Sequence, residues 1–120
     1  PPVPPQQRQA PPVVDLNHEL DGPVFSMTWR PADADPSRFD EAEGCRVYRA
    51  RTRLADSNCP GCPPDFEPVA DIPLGDGDAA GTLIQYVETL DAGVGYTYKV
   101  VCYTENGIDG ADSDWVTVSY

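Results

Sequence analysis

The chain has 120 residues, with twenty acidic and eight basic side chains and a formal net charge of −12. One domain of this size can bury a sizeable core. So acidic a chain repels phosphate backbones, which argues against nucleic acid as a partner, and no run of about 18 apolar residues is present to cross a membrane as a helix.

The pentapeptide Pro1-Pro2-Val3-Pro4-Pro5 has none of the charged-then-apolar character of a signal peptide and reads as a mature or trimmed end. Residues 1–12 form a Pro/Gln-rich stretch that favours polyproline II, expected to be a tail or tether ahead of a domain over 13–120. A first strand opens at Val13-Val14-Asp15-Leu16 and ends at the Asp21-Gly22-Pro23 turn. Phe25, Met27 and Trp29 alternate with Ser26, Thr28 and Arg30, a second strand with its apolar face inward. Pro31 closes it, and the loop over 32–43 is polar and acidic. Cys45, Val47 and Arg49 alternate with Arg46 and Tyr48 in a third strand. A loop over 51–65 then carries Cys59-Pro60-Gly61-Cys62. A fourth strand over 66–72 contains Pro68, which marks a sheet edge. The fifth, over 82–89, has Ile84 and Tyr86 on the parity of Leu90. The sixth is the centre of the pattern: Tyr96, Tyr98, Val100 and Cys102 share one face, and Thr97, Lys99, Val101 and Tyr103 the other. Its Leu90-x-x-Gly93-x-x-Tyr96 approach predicts a tyrosine corner, a phenol bonded to backbone where the chain crosses between sheets. A Gly/Asp loop over 106–114 leads to a seventh strand over 115–120.

Seven short strands without a helical period predict an all-β sandwich of two facing sheets. Trp29 with Pro31, Gly44-x-Arg46-Val47-Tyr48-Arg49, Leu90-x-x-Gly93-x-x-Tyr96-x-Tyr98-x-Val100, the Glu105-Asn106-Gly107 turn and Val116-Thr117-Val118 give the chain its resemblance. Over 13–120 it resembles a fibronectin type III domain of the bacterial extracytoplasmic kind, an immunoglobulin-like seven-stranded β-sandwich with no chemistry shared across the family. The Pro-rich start is also similar to the stretch that follows the acylated cysteine of small proteobacterial lipoproteins. That resemblance implies an N-terminal lipid anchor, whose cysteine is not in this sequence.

Four cysteines in a Pro-rich chain with a single lysine point to two disulfides and an oxidising compartment, and by sequence alone three pairings are open. The topology implied by the resemblance makes strands three and six antiparallel neighbours. Cys45 and Cys102 then face one another in the core, and Cys59 and Cys62 are left as a local ring. Cys59 and Cys62 lack the following histidine of a haem-attachment motif, since Pro63 stands there. A four-cysteine zinc site needs all four thiolates together, and a redox-active pair needs a lowered thiolate pKa, for which Arg51 and Arg53 are the nearby cations.

The same topology gathers loops 31–43, 73–81 and 105–114 at one end, with eleven acids and one base, Arg38. Asp33, Asp35, Asp76, Asp78, Asp112 and Asp114 form Asp-x-Asp pairs that a calcium ion could use, although no complete calcium loop is present. Arg46 and Arg49, with Tyr48 and Tyr103, are expected to make an amphipathic outer sheet face, and Trp115 an exposed aromatic beside the acidic loops. His18 is the single histidine, and no Ser-His-Asp arrangement or phosphate loop is present. The expectation is a non-enzymatic, exported module acting through protein–protein contact, with a protein partner or by self-assembly, as an accessory or surface-assembly subunit with no cofactor. The second reading is a carbohydrate- or calcium-dependent binding module using the acidic loops and Trp115, and the third a thiol-redox protein in which Cys59 and Cys62 cycle.

Overall fold

The computed structural model describes residues 9–32, 42–53, 65–74 and 83–120. They form seven strands: β1 (Val13–Asp21), β2 (Val24–Pro31), β3 (Ala42–Arg53), β4 (Glu67–Pro73), β5 (Ile84–Thr89), β6 (Val94–Thr104) and β7 (Val116–Ser119). Two antiparallel sheets result, ordered β1-β2-β5 and β4-β3-β6-β7. The sandwich expected from the alternating pattern is present, with β3 and β6 longer than the alternation alone suggests.

The alternating apolar residues meet between the sheets. Phe25, Met27 and Trp29 of β2 are buried against Cys45 and Val47 of β3 and Tyr96, Tyr98, Val100 and Cys102 of β6. Phe25 stacks on Tyr98 at 4.4 Å between ring centroids, a geometry that adds to area burial. Among the described residues the indole N–H of Trp29 has no hydrogen-bond partner, so packing is what holds this ring. Within the Pro-rich stretch, Ala10 and Pro11 are already buried. The Pro12 carbonyl accepts from the Ala32 N–H at 2.9 Å, and the Ala10 carbonyl lies where a side chain at Gly110 would stand.

The longest ladder joins β3 to β6, and Cys45 is directly opposite Cys102 in it. A disulfide links the two. The predicted tyrosine corner also forms: the Tyr96 hydroxyl accepts from the Asp91 N–H at 2.9 Å. Leu90 is buried and its N–H donates to the Pro23 carbonyl at 2.7 Å. Gly93 has φ 77°, a left-handed conformation that suits glycine.

Two stability predictions follow from these ties. The Cys45–Cys102 bridge spans 57 residues of sequence, so the Cys45→Ala/Cys102→Ala double variant should lose about 4 kcal/mol by loop-closure entropy. Guanidinium unfolding measures this as a lowered midpoint. Tyr96→Phe keeps the ring and deletes the corner bond; a loss of about 1 kcal/mol is expected in the same assay.

Candidate functional site

The outward side chains of the four-stranded sheet form two rows that cross the strands. In the first, Arg46 stands opposite Asp71 of β4 and Val101 of β6. Its guanidinium lies 4.3 Å from the Tyr103 ring centroid and pairs with Asp71 at 3.8 Å and Asp109 at 3.6 Å. Reaching from β3 to Asp109 carries the Arg46 stem across Val101, which is buried although it points outward. The Tyr103 hydroxyl donates to Asp71 at 2.5 Å. Burial first, and then the hydrogen bond to Asp71, push its pKa up to about 12. Gly44 makes room for this ring, since a Cβ there would come within 2.7 Å of Tyr103 Cζ and 2.9 Å of the Ile72 carbonyl.

In the second row Tyr48 is opposite Lys99. The Lys99 ammonium sits 4.6 Å from the Phe66 ring centroid and 5.5 Å from that of Tyr48, and pairs with Asp112 at 3.0 Å. Its side chain is only 19% exposed, so this lysine is held under aromatic rings. Trp115 packs edge-on against Phe66 at 5.3 Å while remaining 55% exposed.

Of the predicted binding residues, Arg46, Tyr48, Tyr103 and Trp115 therefore share this face. Arg49 does not. It is opposite buried Tyr98, and its guanidinium pairs with Glu88 of β5 at 2.6 Å, both side chains being less than one-fifth exposed. The Tyr98 hydroxyl donates to the other oxygen of the same carboxylate. Arg49 thus ties the two sheets together instead of facing a partner.

The gathering of acids at one tip also needs correction for the last loop. Residues 108–113 turn back along β6: the Ile108 carbonyl accepts from Thr104, and the Gly110 and Ser113 N–H groups donate to the Cys102 and Val100 carbonyls. Asp109 and Asp112 consequently lie beside the outer face, each paired with a cation of that face. Asp114 lies on this same returning segment, its carbonyl accepting from the Ser113 hydroxyl. Asp33, Asp35, Asp76, Asp78, Cys59 and Cys62 lie outside the described residues. Among the described residues no group of three or more metal-binding side chains converges.

With this geometry in place, comparison with solved structures is informative. The chain is similar to the third fibronectin III domain of the human KIAA0343 protein, with TM-score 0.60 and 15% identity over 95% of this chain and 84% of that one. It is also similar to the twitchin kinase region of C. elegans, at TM-score 0.60 and 12% identity over 92% of this chain, which spans 16% of that one. A β-1,2-glucanase from Parabacteroides distasonis matches at TM-score 0.51 and 17% identity over 92% of this chain and 13% of that one. The fold is that of a fibronectin type III domain. No family model and no curated protein matches the sequence.

Three residues of this domain escaped the sequence reading. Glu88 shares the core-facing parity of Ile84, Tyr86 and Leu90, and an arginine at core parity on β3 was the available hint of its partner. Lys99 is the single lysine of the chain, on the central strand. Phe66 was read only as the start of a strand, and nothing local indicates that it turns toward Trp115.

The Glu88 cluster sets an alkaline limit for the domain. Burial first, then the hydrogen bond to Glu88 and its charge, push the Tyr98 pKa well above the usual tyrosine value. Burial and then the Glu88 charge raise Tyr86 to about 12. Both phenols are favoured neutral in the fold, so their contribution is complete below about pH 10 and is lost as pH rises from there through about 12. Stability should fall across this window. Tyrosine absorbance should show late-ionising residues whose titration follows unfolding, a lag that urea-unfolded protein lacks.

Proposed function

We propose that this domain is a non-enzymatic, exported binding module that contacts a protein partner through the outer face of its four-stranded sheet. The observation that carries this reading is Trp115, half exposed over Phe66 on a face whose two cations, Arg46 and Lys99, are already paired with carboxylates. An exposed tryptophan backed by another ring offers large rigid area at little entropic cost. Arg46 and Lys99 are pinned by aromatic and carboxylate neighbours, so an approaching surface need not desolvate a lone ion. The Cys45–Cys102 disulfide supports residence in an oxidising compartment. A lipid anchor ahead of the Pro-rich stretch would tether such a module to a membrane.

A photo-crosslinking residue placed at position 48 or 115 should capture a partner from the native envelope fraction, whereas one placed at position 19, on the opposite sheet, should not. Trp115→Ala should weaken binding of the captured partner by about tenfold or more while leaving the melting temperature nearly unchanged. Equal capture from both sheets, or an affinity indifferent to Trp115→Ala, would remove this face as the binding site.

A further inference from the structure

Among the described residues the sandwich has four sheet edges, and three carry features that discourage further pairing. β1 shifts register between Val14 and Asn17, places Asp15 at φ 54° and bears Asp15, Glu19 and Asp21. β4 contains Pro68 and Pro73 and lies beside a register shift at Val47 and Tyr48. β7 is only four residues long. β5 is different. Its six residues contain no proline or glycine, and its ladder with β2 runs without a shift. Among the described residues it pairs with β2 alone. Its one charge, Glu88, points between the sheets and is engaged by Arg49 and Tyr98.

The outward row of this segment is uncharged: Leu83, Gln85, Val87 and Thr89, all exposed, with Leu83 at 54% and Val87 at 51%. Apolar, amide, apolar is a pattern that matches itself when read backwards. We propose that β5 pairs antiparallel with β5 of a second copy, about a two-fold axis through Gln85. That axis sets Leu83 against Val87 of the second copy and Val87 against its Leu83, with the two Gln85 side chains facing at the centre. Ile84 and Tyr86 then meet on the inner side with unchanged parity, and the sheets merge into one of six strands, β1-β2-β5-β5-β2-β1. No like charges are directly opposed among residues 83–87, which is what a two-fold contact in so acidic a chain requires. The remaining repulsion between two chains of net charge −12 is long-ranged and screened by salt. The contact lies on the sheet opposite Trp115 and stands independently of the proposed binding face.

Analytical ultracentrifugation should show a monomer–dimer equilibrium at submillimolar protein, shifted toward dimer by added salt. Val87→Lys, an exposed change that leaves the melting temperature intact, should weaken dimerisation at least tenfold. Gln85→Cys should crosslink under mild oxidation, and a non-reduced digest should join position 85 to position 85. A protein that stays monomeric in high salt, a dimer indifferent to Val87→Lys, or faster self-crosslinking of Val87→Cys than of Gln85→Cys would each overturn the proposal.

Discussion

The ladder between β3 and β6 is the constraint on which the other features depend. It runs from Ala42 opposite Thr104 to Arg53 opposite Val94, and its register decides which side chains can meet on each face. On the inner side it brings Cys45 to Cys102 and Val47 to Val100. On the outer side the same register sets Arg46 over Val101 and Tyr48 beside Lys99. A slip of one residue would exchange the two faces, burying the cations and exposing the cysteines. The disulfide makes that slip covalently inaccessible. It therefore protects the arrangement of the outer face as well as the core, although it touches only the core.

The second sheet is fastened differently. Among the described residues β5 has a single hydrogen-bonded neighbour, yet its far end is held at several points. Leu90 is buried and bonds Pro23, Asp91 bonds the Tyr96 phenol, and Glu88 is shared by Arg49 and Tyr98. A carboxylate between two sheets is costly unless its lone pairs are filled. Here one oxygen takes an arginine and the other a phenol. An apolar group of the same size could pack as well, but it would not specify which residues of β3 and β6 must lie opposite β5. The polar tie thus adds positional selectivity to a layer otherwise joined by greasy contacts, and it consumes the one charge that would have marked β5 as a guarded edge.

Much of this architecture was legible in the sequence because a strand's period of two is a local signal. The alternation of Phe25, Met27 and Trp29, and of Tyr96, Tyr98, Val100 and Cys102, fixes inside and outside without reference to any partner. The tyrosine corner was equally local, since Leu90, Gly93 and Tyr96 act within one turn. What parity could not reveal is who receives a charge. Arg49 and Arg46 sit on β3 with opposite parity, which places one between the sheets and the other on the surface but names the partner of neither. Glu88 settles the first case and Asp109 the second, and both are distant in sequence. The returning segment over 108–113 was hidden for a related reason. Its glycine and two aspartates have low strand propensity, so it reads as a loop. Its backbone nevertheless bonds β6, because Thr104, Cys102 and Val100 would otherwise leave buried polar groups without partners.

The placement of that segment changes what the strong negative charge means. Carboxylates clustered at a tip would project a field suited to a cation or a basic partner. Asp109 and Asp112, laid instead along the edge of the basic face, form short pairs with Arg46 and Lys99, and the net field of each pair falls off quickly. On the outer face of the second sheet the amides and hydroxyls of Asn17, Ser26, Thr28 and Gln85 line a shallow cleft of about 220 Å³ together with His18 and Glu19, so the uncharged part of that face is its β5 side. An acidic chain can associate with another protein where approach does not bring unpaired ions out of water. By that criterion the aromatic face and the β5 edge are the surfaces at which this domain is least opposed to contact. The surplus of acids elsewhere would oppose contact over the rest of the surface.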